Sequence, residues 1–290
     1  MTFFNFLLLL TLQFFSGFGI ISRLDRSLSR FVIIPTSVLV GSFLGTLCVY
    51  ILGALYLPIT WLNLILVFSL LAVLFFLPFK KNIESLRNLF KFELSSVKIY
   101  ELLIAFFVFQ VFFISAWRTY YQPVISFDSV CGIDLFAKNA ILEGKLVCWI
   151  FNGEYIKDLS TQAYYAPFTA FQQIIYRFAG FEVGQIWLSK VFLCFIMFMY
   201  HSMKEYVHGA IAGIILYITI TVPEFFAYTF ILQTDFSNAV FTMIAVVFLA
   251  QFMKTENYGK LYLSILFFAL AIWTRSETVF SFLSLQSLFW

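Results

Sequence analysis

Six ionisable side chains are the candidates for chemistry in this chain, because they stand beside long apolar stretches and not within a polar domain. Ionisable groups at or near membrane depth are costly and usually face a cavity or a functional site. Carboxylates gathered from separate loops suit a hard divalent cation or general-base chemistry, and an arginine presents a planar fork to a phosphate. The six candidates are Asp128, Asp134, Glu224, Asp235, Arg275 and Glu277.

Two of these carboxylates stand where a helix is predicted to begin, and each has two interpretations. Asp128 caps the helix that follows it, or adds catalysis to that position, since a helix N-terminus favours the ionised carboxylate that a base or a metal ligand needs. Asp235, in LQTDFSNAV, caps the apolar span that follows it, or is a functional acid. The residue types alone leave both pairs of alternatives open.

The remaining charged residues also have simpler interpretations. Asp134 is four residues before Lys138, the favourable order for a pair on a helix surface. Glu224, after Pro223, supports a site or only marks where a span leaves the bilayer. Lys190, within the apolar WLSKVFLCF, snorkels to the outer interface or meets an anionic lipid headgroup.

Arg275 and Glu277 interrupt an apolar run close to the C-terminus. Residues two apart do not face one another on a helix. Their spacing therefore predicts a break between two half-spans, where Arg275 can present its guanidinium to a phosphate. The alternative is a mutual surface pair.

The composition is that of an integral membrane protein. The chain has 290 residues, of which 62% are hydrophobic and 11% charged, against about 25% charged in soluble domains. The net charge of +3 is small, and the basic residues form short clusters between apolar runs, so they indicate orientation in a bilayer and not binding to nucleic acid. The first apolar run has no positive residue ahead of it, so we expect no cleavable signal.

Apolar runs of about 20 residues predict an all-α, polytopic protein with about eight to nine transmembrane helices. The clearest runs are 3–21, 31–57, 61–79, 100–117, 183–200, 209–222, 238–253 and 261–274. The basic segments RLDRSLSR and KKNIESLRNLFKFELSSVK are predicted to be cytoplasmic by the positive-inside rule. That orientation places the long loop 118–182 and all six candidates on the outer face of a multi-pass protein of the inner (plasma) membrane.

The outer loop contains SFDSVCGIDLFAKNAILEG, whose apolar residues recur with helical spacing. This pattern predicts an amphipathic helix in the membrane interface, with Asp134 and Lys138 on its polar face and Gly144 at its end. The apolar positions are Ile133, Phe136, Ala137, Ala140 and Ile141. Cys131 and Cys148 lie in the same loop, and the sequence leaves open whether they pair.

The order of these features resembles the GT-C class of polytopic glycosyltransferases, in particular the group related to dolichyl-phosphate-mannose protein mannosyltransferases and aminoarabinose transferases. The likeness covers about residues 100–280 and rests on four segments. These are ISFDSVCGIDLFAKNAILEGK, YYAPFTAFQQIIYRFAG, QTDFSNAVF and AIWTRSETVF. Two features depart from the class: three spans precede the first family-like one, and Thr278 stands where many relatives have glycine.

The resemblance implies a transferase that moves a sugar from a polyprenyl-phosphate donor to an extracytoplasmic glycan or lipid acceptor. It implies that Asp128 activates the acceptor hydroxyl or helps hold a metal, that Asp235 is a second acidic site residue, and that Arg275 contacts the donor phosphate. Lys190 is a further candidate for that phosphate, and Asp134, Glu224 and Glu277 are possible supporting acids.

The resemblance also divides the chain into an N-terminal three-helix extension, 1–99, and a catalytic core, 100–290, that is incomplete at its C-terminus. A divalent metal, Mg²⁺ or Mn²⁺ held by Asp128 and Asp235, is possible, because only some members of the class use one. The alternative functions are a transporter or flippase of a lipid-linked saccharide, which would need charges along a route to both faces, and a non-catalytic membrane component.

Overall fold

A computed structural model describes residues 2–89, 98–147 and 166–279, and every regular element in these three ranges is a helix. A single π-helical turn, Ser129–Ile133, precedes α6. The α-helices are α1 Thr2–Leu24, α2 Arg30–Ala54, α3 Trp61–Phe76, α4 Phe79–Leu89, α5 Ile99–Tyr121, α6 Asp134–Glu143, α7 Phe168–Phe178, α8 Ile186–Lys204, α9 Gly209–Thr221, α10 Pro223–Tyr228, α11 Thr234–Thr255 and α12 Tyr258–Thr274.

The protein is a multi-pass membrane protein by the length and composition of its helices. Five of them, α1, α2, α5, α8 and α11, are long and apolar enough to cross a bilayer, and α3 with α4 makes a sixth if that bent pair is one span. All eight apolar runs predicted from the sequence are helical, but α9 and α12 have only 13 and 17 residues. Five or six helices of the described ranges therefore meet the span criterion, fewer than the eight to nine predicted.

The first two helices pack backbone against backbone. A Cβ atom added to Gly17 of α1 would overlap the carbonyl group of Ser37, and one added to Gly41 of α2 would overlap that of Gln13. Small residues allow this close approach, which is a common basis for helix association in membranes. The glycines are thus required where α1 crosses α2.

The N-terminal helices also contact the later ones through buried polar groups. Gln172 of α7 donates to the carbonyl oxygen of Ser42 in α2 at 2.8 Å, and the Trp273 indole of α12 donates to Thr46 Oγ1 at 3.1 Å. Residues 2–89 therefore share one core with the helices that follow. The predicted division into an extension and a core, with its boundary at residue 99, stays a prediction.

The turns gather at two opposite ends of the bundle. At one, which we call the basic end, Lys260 pairs with Asp25 at 3.6 Å and Lys204 contacts Glu101. At the other, the loop end, the amide of Ile59 donates to Gly144 O at 2.7 Å. This grouping agrees with the alternation predicted from the basic clusters, while the side of the membrane that each end faces stays a prediction.

The predicted amphipathic helix is present as α6, and Gly144 ends it with a left-handed φ of 67°. Ile133, Ala137 and Ala140 are buried, and the face that they form packs on α7, so the helix is held by protein. The expectation that Asp134 lies on the polar face is wrong, because its side chain is only 2% exposed. Arg177 and Gln173 of α7 bind this carboxylate inside the protein.

Candidate functional site

Three of the predicted site residues meet at the loop end. Arg275 follows α12 with an extended backbone (φ −153°), which turns its side chain toward the first turn of α11. The guanidinium contacts the carboxylate of Asp235 and donates from Nε to Glu277 Oε2 at 2.8 Å. Arg275 and Glu277 thus form the mutual pair that the sequence left as an alternative, and they do so at the predicted break, with Asp235 as a third member.

The hairpin of α11 and α12 positions this cluster. Phe241 and Phe248 of α11 pack their rings on Phe267 of α12, with centroids 6.3 and 5.9 Å apart. Asn238, one turn below Asp235, donates to Ala271 O at 3.0 Å and to Thr278 Oγ1 at 2.6 Å. The hydroxyl of Thr278 therefore holds the chain beyond α12 against Asn238 of α11. A glycine at this position could not make that hydrogen bond.

Asp128 lies in a segment that is tied to the start of α11. The Ser129 hydroxyl bonds to the carbonyl oxygen of Leu232, and Gln233 donates to Ser126 Oγ at 3.2 Å. Leu232 and Gln233 lie three and two residues before Asp235 in the chain. The structure thus brings the segment of Asp128 next to the helix turn that carries Asp235.

Neither aspartate caps its helix as the simpler interpretation predicted. The backbone of Asp128 is already helical (φ −59°, ψ −31°), and its side chain makes no capping hydrogen bond. Asp235 lies inside the first turn of α11, where Gln233 holds the cap position. A carboxylate in that turn still interacts favourably with the helix dipole. The cap interpretation is therefore wrong for Asp235, and the cap hydrogen bond is not made by Asp128.

The cluster is open to water. The side chains of Asp235, Arg275 and Glu277 are each between a third and a half exposed. The hydrogen bond from Arg275 lowers the pKa of Glu277 below its usual range. A half-exposed ion pair contributes little to stability, so a guanidinium held in this way can exchange a carboxylate for a phosphate oxygen at small cost.

Asp134 belongs to a second, buried network. It accepts from Arg177 Nη2 at 2.6 Å, from Gln173 Nε2 at 3.0 Å and pairs with Lys138 Nζ at 2.9 Å. The Lys138 pair was predicted, whereas the α7 partners were not. Gln173 and Arg177 are four residues apart on a mostly apolar helix, a spacing that signals one shared polar face. The network joins α6 to α7, so its place is structural.

Lys190 is buried inside the bundle, whereas a snorkelling side chain would end at the membrane interface. Its Nζ donates to Ser42 Oγ at 2.7 Å and to Gln13 Oε1 at 3.2 Å, and lies 5.0 Å from the centre of the Tyr176 ring. The expectation that it reaches the outer interface is wrong, because polar groups on α1 and α2 satisfy it in the core. None of the ion pairs within the described ranges includes it.

Glu224 stands apart from the cluster. It lies in the first turn of α10 after Pro223, with an exposed side chain. No hydrogen bond or ion pair between described residues joins it to Arg275. Its position agrees with the simpler interpretation, in which it marks the end of a helix.

The structure offers little to a metal ion. Within residues 2–89, 98–147 and 166–279, no group of three or more His, Cys, Asp or Glu side chains could hold one. Asp128 and Asp235 are only two carboxylates, and Arg275 engages the second, so the described residues do not fit a resident Mg²⁺ or Mn²⁺. Cys131 is partly exposed, and Cys148, whose pairing with it the sequence leaves open, lies outside the described residues.

Comparison of the chain with models of protein families, with curated proteins and with solved structures found no match.

Proposed function

We propose that the protein is a glycosyltransferase that moves a sugar from a polyprenyl-phosphate donor to an extracytoplasmic glycan or lipid acceptor. The observation that supports this best is the cluster of Asp235, Arg275 and Glu277 at the loop end, beside the segment of Asp128. Such a donor cannot leave the bilayer, so its enzyme must present acidic and basic groups at headgroup level. The cluster provides both at the end of two apolar helices.

In this proposal each charged group has one task. The guanidinium of Arg275 exchanges a carboxylate for the donor phosphate, which it can bind through two parallel N–H donors. Asp128, or Asp235 once released from Arg275, accepts the proton of the acceptor hydroxyl. The acceptor oxygen bonds to the anomeric carbon, the bond from that carbon to the phosphate oxygen breaks, and polyprenyl phosphate leaves with the negative charge beside Arg275. No step passes through a metal.

A cavity of about 380 Å³ at the same end gives the proposal a candidate place for an acceptor. Tyr120, Tyr121 and Phe181 line it together with Glu182. Aromatic faces and a carboxylate are groups on which a glycan can stack and to which its hydroxyls can donate. This cavity lies where α5 ends and α8 begins.

The proposal is tested in proteoliposomes with undecaprenyl-phosphate hexoses and pentoses, radiolabelled in the sugar, and with cell-envelope lipids and glycans as acceptors. We expect whichever of Asp128→Asn and Asp235→Asn removes the general base to lower the transfer rate by about 10²-fold or more, the range for loss of such a base. Arg275→Gln should lower it as well, chiefly by weakening donor binding.

The matched control is Glu143→Gln, because this carboxylate lies at the same end and pairs with Lys145 at 3.2 Å, outside the cluster. It should leave the rate within about twofold of the parent, as expected for a surface substitution. Unchanged transfer in Asp128→Asn would remove that residue from the mechanism. Unchanged transfer in Asp128→Asn, Asp235→Asn and Arg275→Gln alike would refute the proposal.

Lys190 favours a second candidate function, a transporter or flippase of a lipid-linked saccharide. A lysine buried among Gln13, Ser42 and Tyr176 within apolar helices is the kind of intramembrane charge that marks transport pathways. This function predicts movement of a fluorescent undecaprenyl-phosphate sugar between leaflets with no acceptor present. Lys190→Met should abolish that movement, whereas a transferase would show none in either protein.

A further inference from the structure

A cavity of about 670 Å³ opens at the basic end, between α1, α2 and α4. Among the residues that the structure describes, three cations line it, Arg26, Arg30 and Lys81, against a single carboxylate, Glu84. The hydroxyls of Ser22 and Ser85 add polar groups to the wall. The volume lies within the range of small-molecule sites, and the excess of positive charge selects an anion.

Helix α4 gives this cavity its position relative to a bilayer. It bends by 84° from α3, so it crosses the end of the bundle. Phe79 and Ile83 on its outer side are 44% and 55% exposed, while Leu86 and Leu89 pack on the core. A basic amphipathic helix with exposed apolar side chains lies in the boundary between headgroups and acyl chains.

The orientation of α4 is held by specific hydrogen bonds. Asn82 donates to Phe76 O at 2.7 Å and accepts from the Ser22 hydroxyl of α1 at 3.1 Å. Lys81, next to Asn82 in the chain, is thereby kept at the wall of the cavity. The cavity is thus built by contacts that do not depend on its own cations.

Two other cations at this end are committed to protein partners. Arg23 donates to Phe75 O at 2.8 Å, and Lys260 pairs with Asp25 at 3.6 Å. By contrast, no ion pair in the described part of the chain includes Arg26 or Lys81. Arg26 donates from Nε to Ser22 O at 3.3 Å, and a guanidinium has five donors in all.

We propose that this cavity binds the phosphate group of an anionic phospholipid, with Arg26 and Lys81 as the main contacts and Arg30 beside them. A phosphodiester is the anion present at the depth where α4 lies, and basic pockets between membrane helices on the cytoplasmic side are known to hold such headgroups. A soluble phosphate offers the same chemistry to the cations, so the test separates the two sources. The inference does not depend on the proposed glycosyl transfer.

The test counts lipids retained by the purified full-length chain in native mass spectrometry, with phosphatidylglycerol or phosphatidylcholine added. We expect retention of phosphatidylglycerol over phosphatidylcholine, and a fall of about tenfold or more in Arg26→Gln/Lys81→Gln, since hydrogen bonds to charged groups are strong. The matched control is Lys80→Gln, which removes an adjacent exposed cation of α4 that does not line the cavity.

Each outcome decides the proposal. If Lys80→Gln lost as much bound lipid as the double variant, lipid binding would depend only on the general surface charge. That result would refute the proposed site. Millimolar glycerol 3-phosphate is added to see whether a soluble phosphate displaces the lipid. If it does so in the parent and not in the double variant, the cavity is a phosphate site, and the proposal that a phospholipid is its only ligand is rejected. Far-ultraviolet circular dichroism identifies variants that fail to fold, and Arg26→Lys/Lys81→Arg, which keeps both charges, should retain the lipid.

Discussion

Replacing Asp134 by asparagine should lower the free energy of unfolding by about 3 kcal/mol. The carboxylate is 2% exposed and accepts from Arg177, whose own side chain is only 16% exposed. Removing one member of a buried ion pair costs about 3 to 5 kcal/mol, because the other charge stays buried without compensation. We use the lower value because Lys138, which also pairs with Asp134, is 53% exposed. Its ammonium group can be solvated by water when the carboxylate is removed.

Cysteine labelling provides the assay. Cys48 and Cys194 are buried in the bundle, so in a Cys131→Ser/Cys148→Ser background a thiol reagent modifies them only when the helices separate. A loss of about 3 kcal/mol corresponds to a rise of more than about 100-fold in the labelled rate at a fixed dodecyl sulfate fraction. The measurement reports stability without requiring any activity.

The control is Lys138→Gln, which breaks only the exposed pair with Asp134 and should cost about 0.3 to 0.5 kcal/mol. A double variant, Asp134→Asn/Arg177→Gln, should recover part of the loss, since it also removes the stranded guanidinium. Equal losses in Asp134→Asn and Lys138→Gln would refute the reasoning, because they would mean that Arg177 contributes nothing at this site.

The remaining predictions concern the helix crossing, the buried lysine and the loop-end cluster. Gly41→Ala should destabilise the protein by more than about 1 kcal/mol, because the added Cβ would overlap a backbone carbonyl of α1. The control is Gly45→Ala on the same helix, whose Cβ would meet only side-chain carbons at 3.3 Å or more. Cysteine labelling compares the stability of the two variants. Lys190→Met should leave stability unchanged or raise it in the same assay, since apolar replacement of a buried charge is often neutral or favourable. The lowered pKa of Glu277 means that its pair with Arg275 contributes fully above pH about 4.5 and is lost as the pH falls through the lowered value. Glu277→Gln should therefore remove that small acid-side decline in stability, measured from pH 6 to 3.

The features that the sequence predicted well are those that local pattern determines. The spacing of Ile133, Ala137 and Ala140 predicted α6, and Gly144 predicted its end, because helical periodicity and a left-handed closing residue are short-range signals. The bend between α3 and α4 had a signal as well. Pro78 disfavours a continuous helix, although the sequence predicts the run 61–79 as a candidate span.

The features that were mispredicted depend on partners far away in the chain. Asp134 was expected on a polar face because Lys138 is its visible neighbour, whereas Arg177 comes 43 residues later. For Lys190 the sequence allows snorkelling or contact with a lipid headgroup, whereas its acceptor Ser42 comes 148 residues earlier. An isolated polar residue in an apolar run gives no information about which helix will face it, so its depth could not be predicted.

The loop-end cluster, on α11 and after α12, and the basic-end cavity, between α1, α2 and α4, lie at opposite ends of the bundle. Helix α1 has 23 residues, so the two ends are separated by about 35 Å at 1.5 Å per residue. That distance is several times the screening length of about 8 Å at physiological salt. A phosphate bound by Arg26 and Lys81 therefore cannot act directly on the charge of Arg275. Any influence of a lipid at one end on the other must therefore pass through helix packing, and close-packed protein interiors transmit strain.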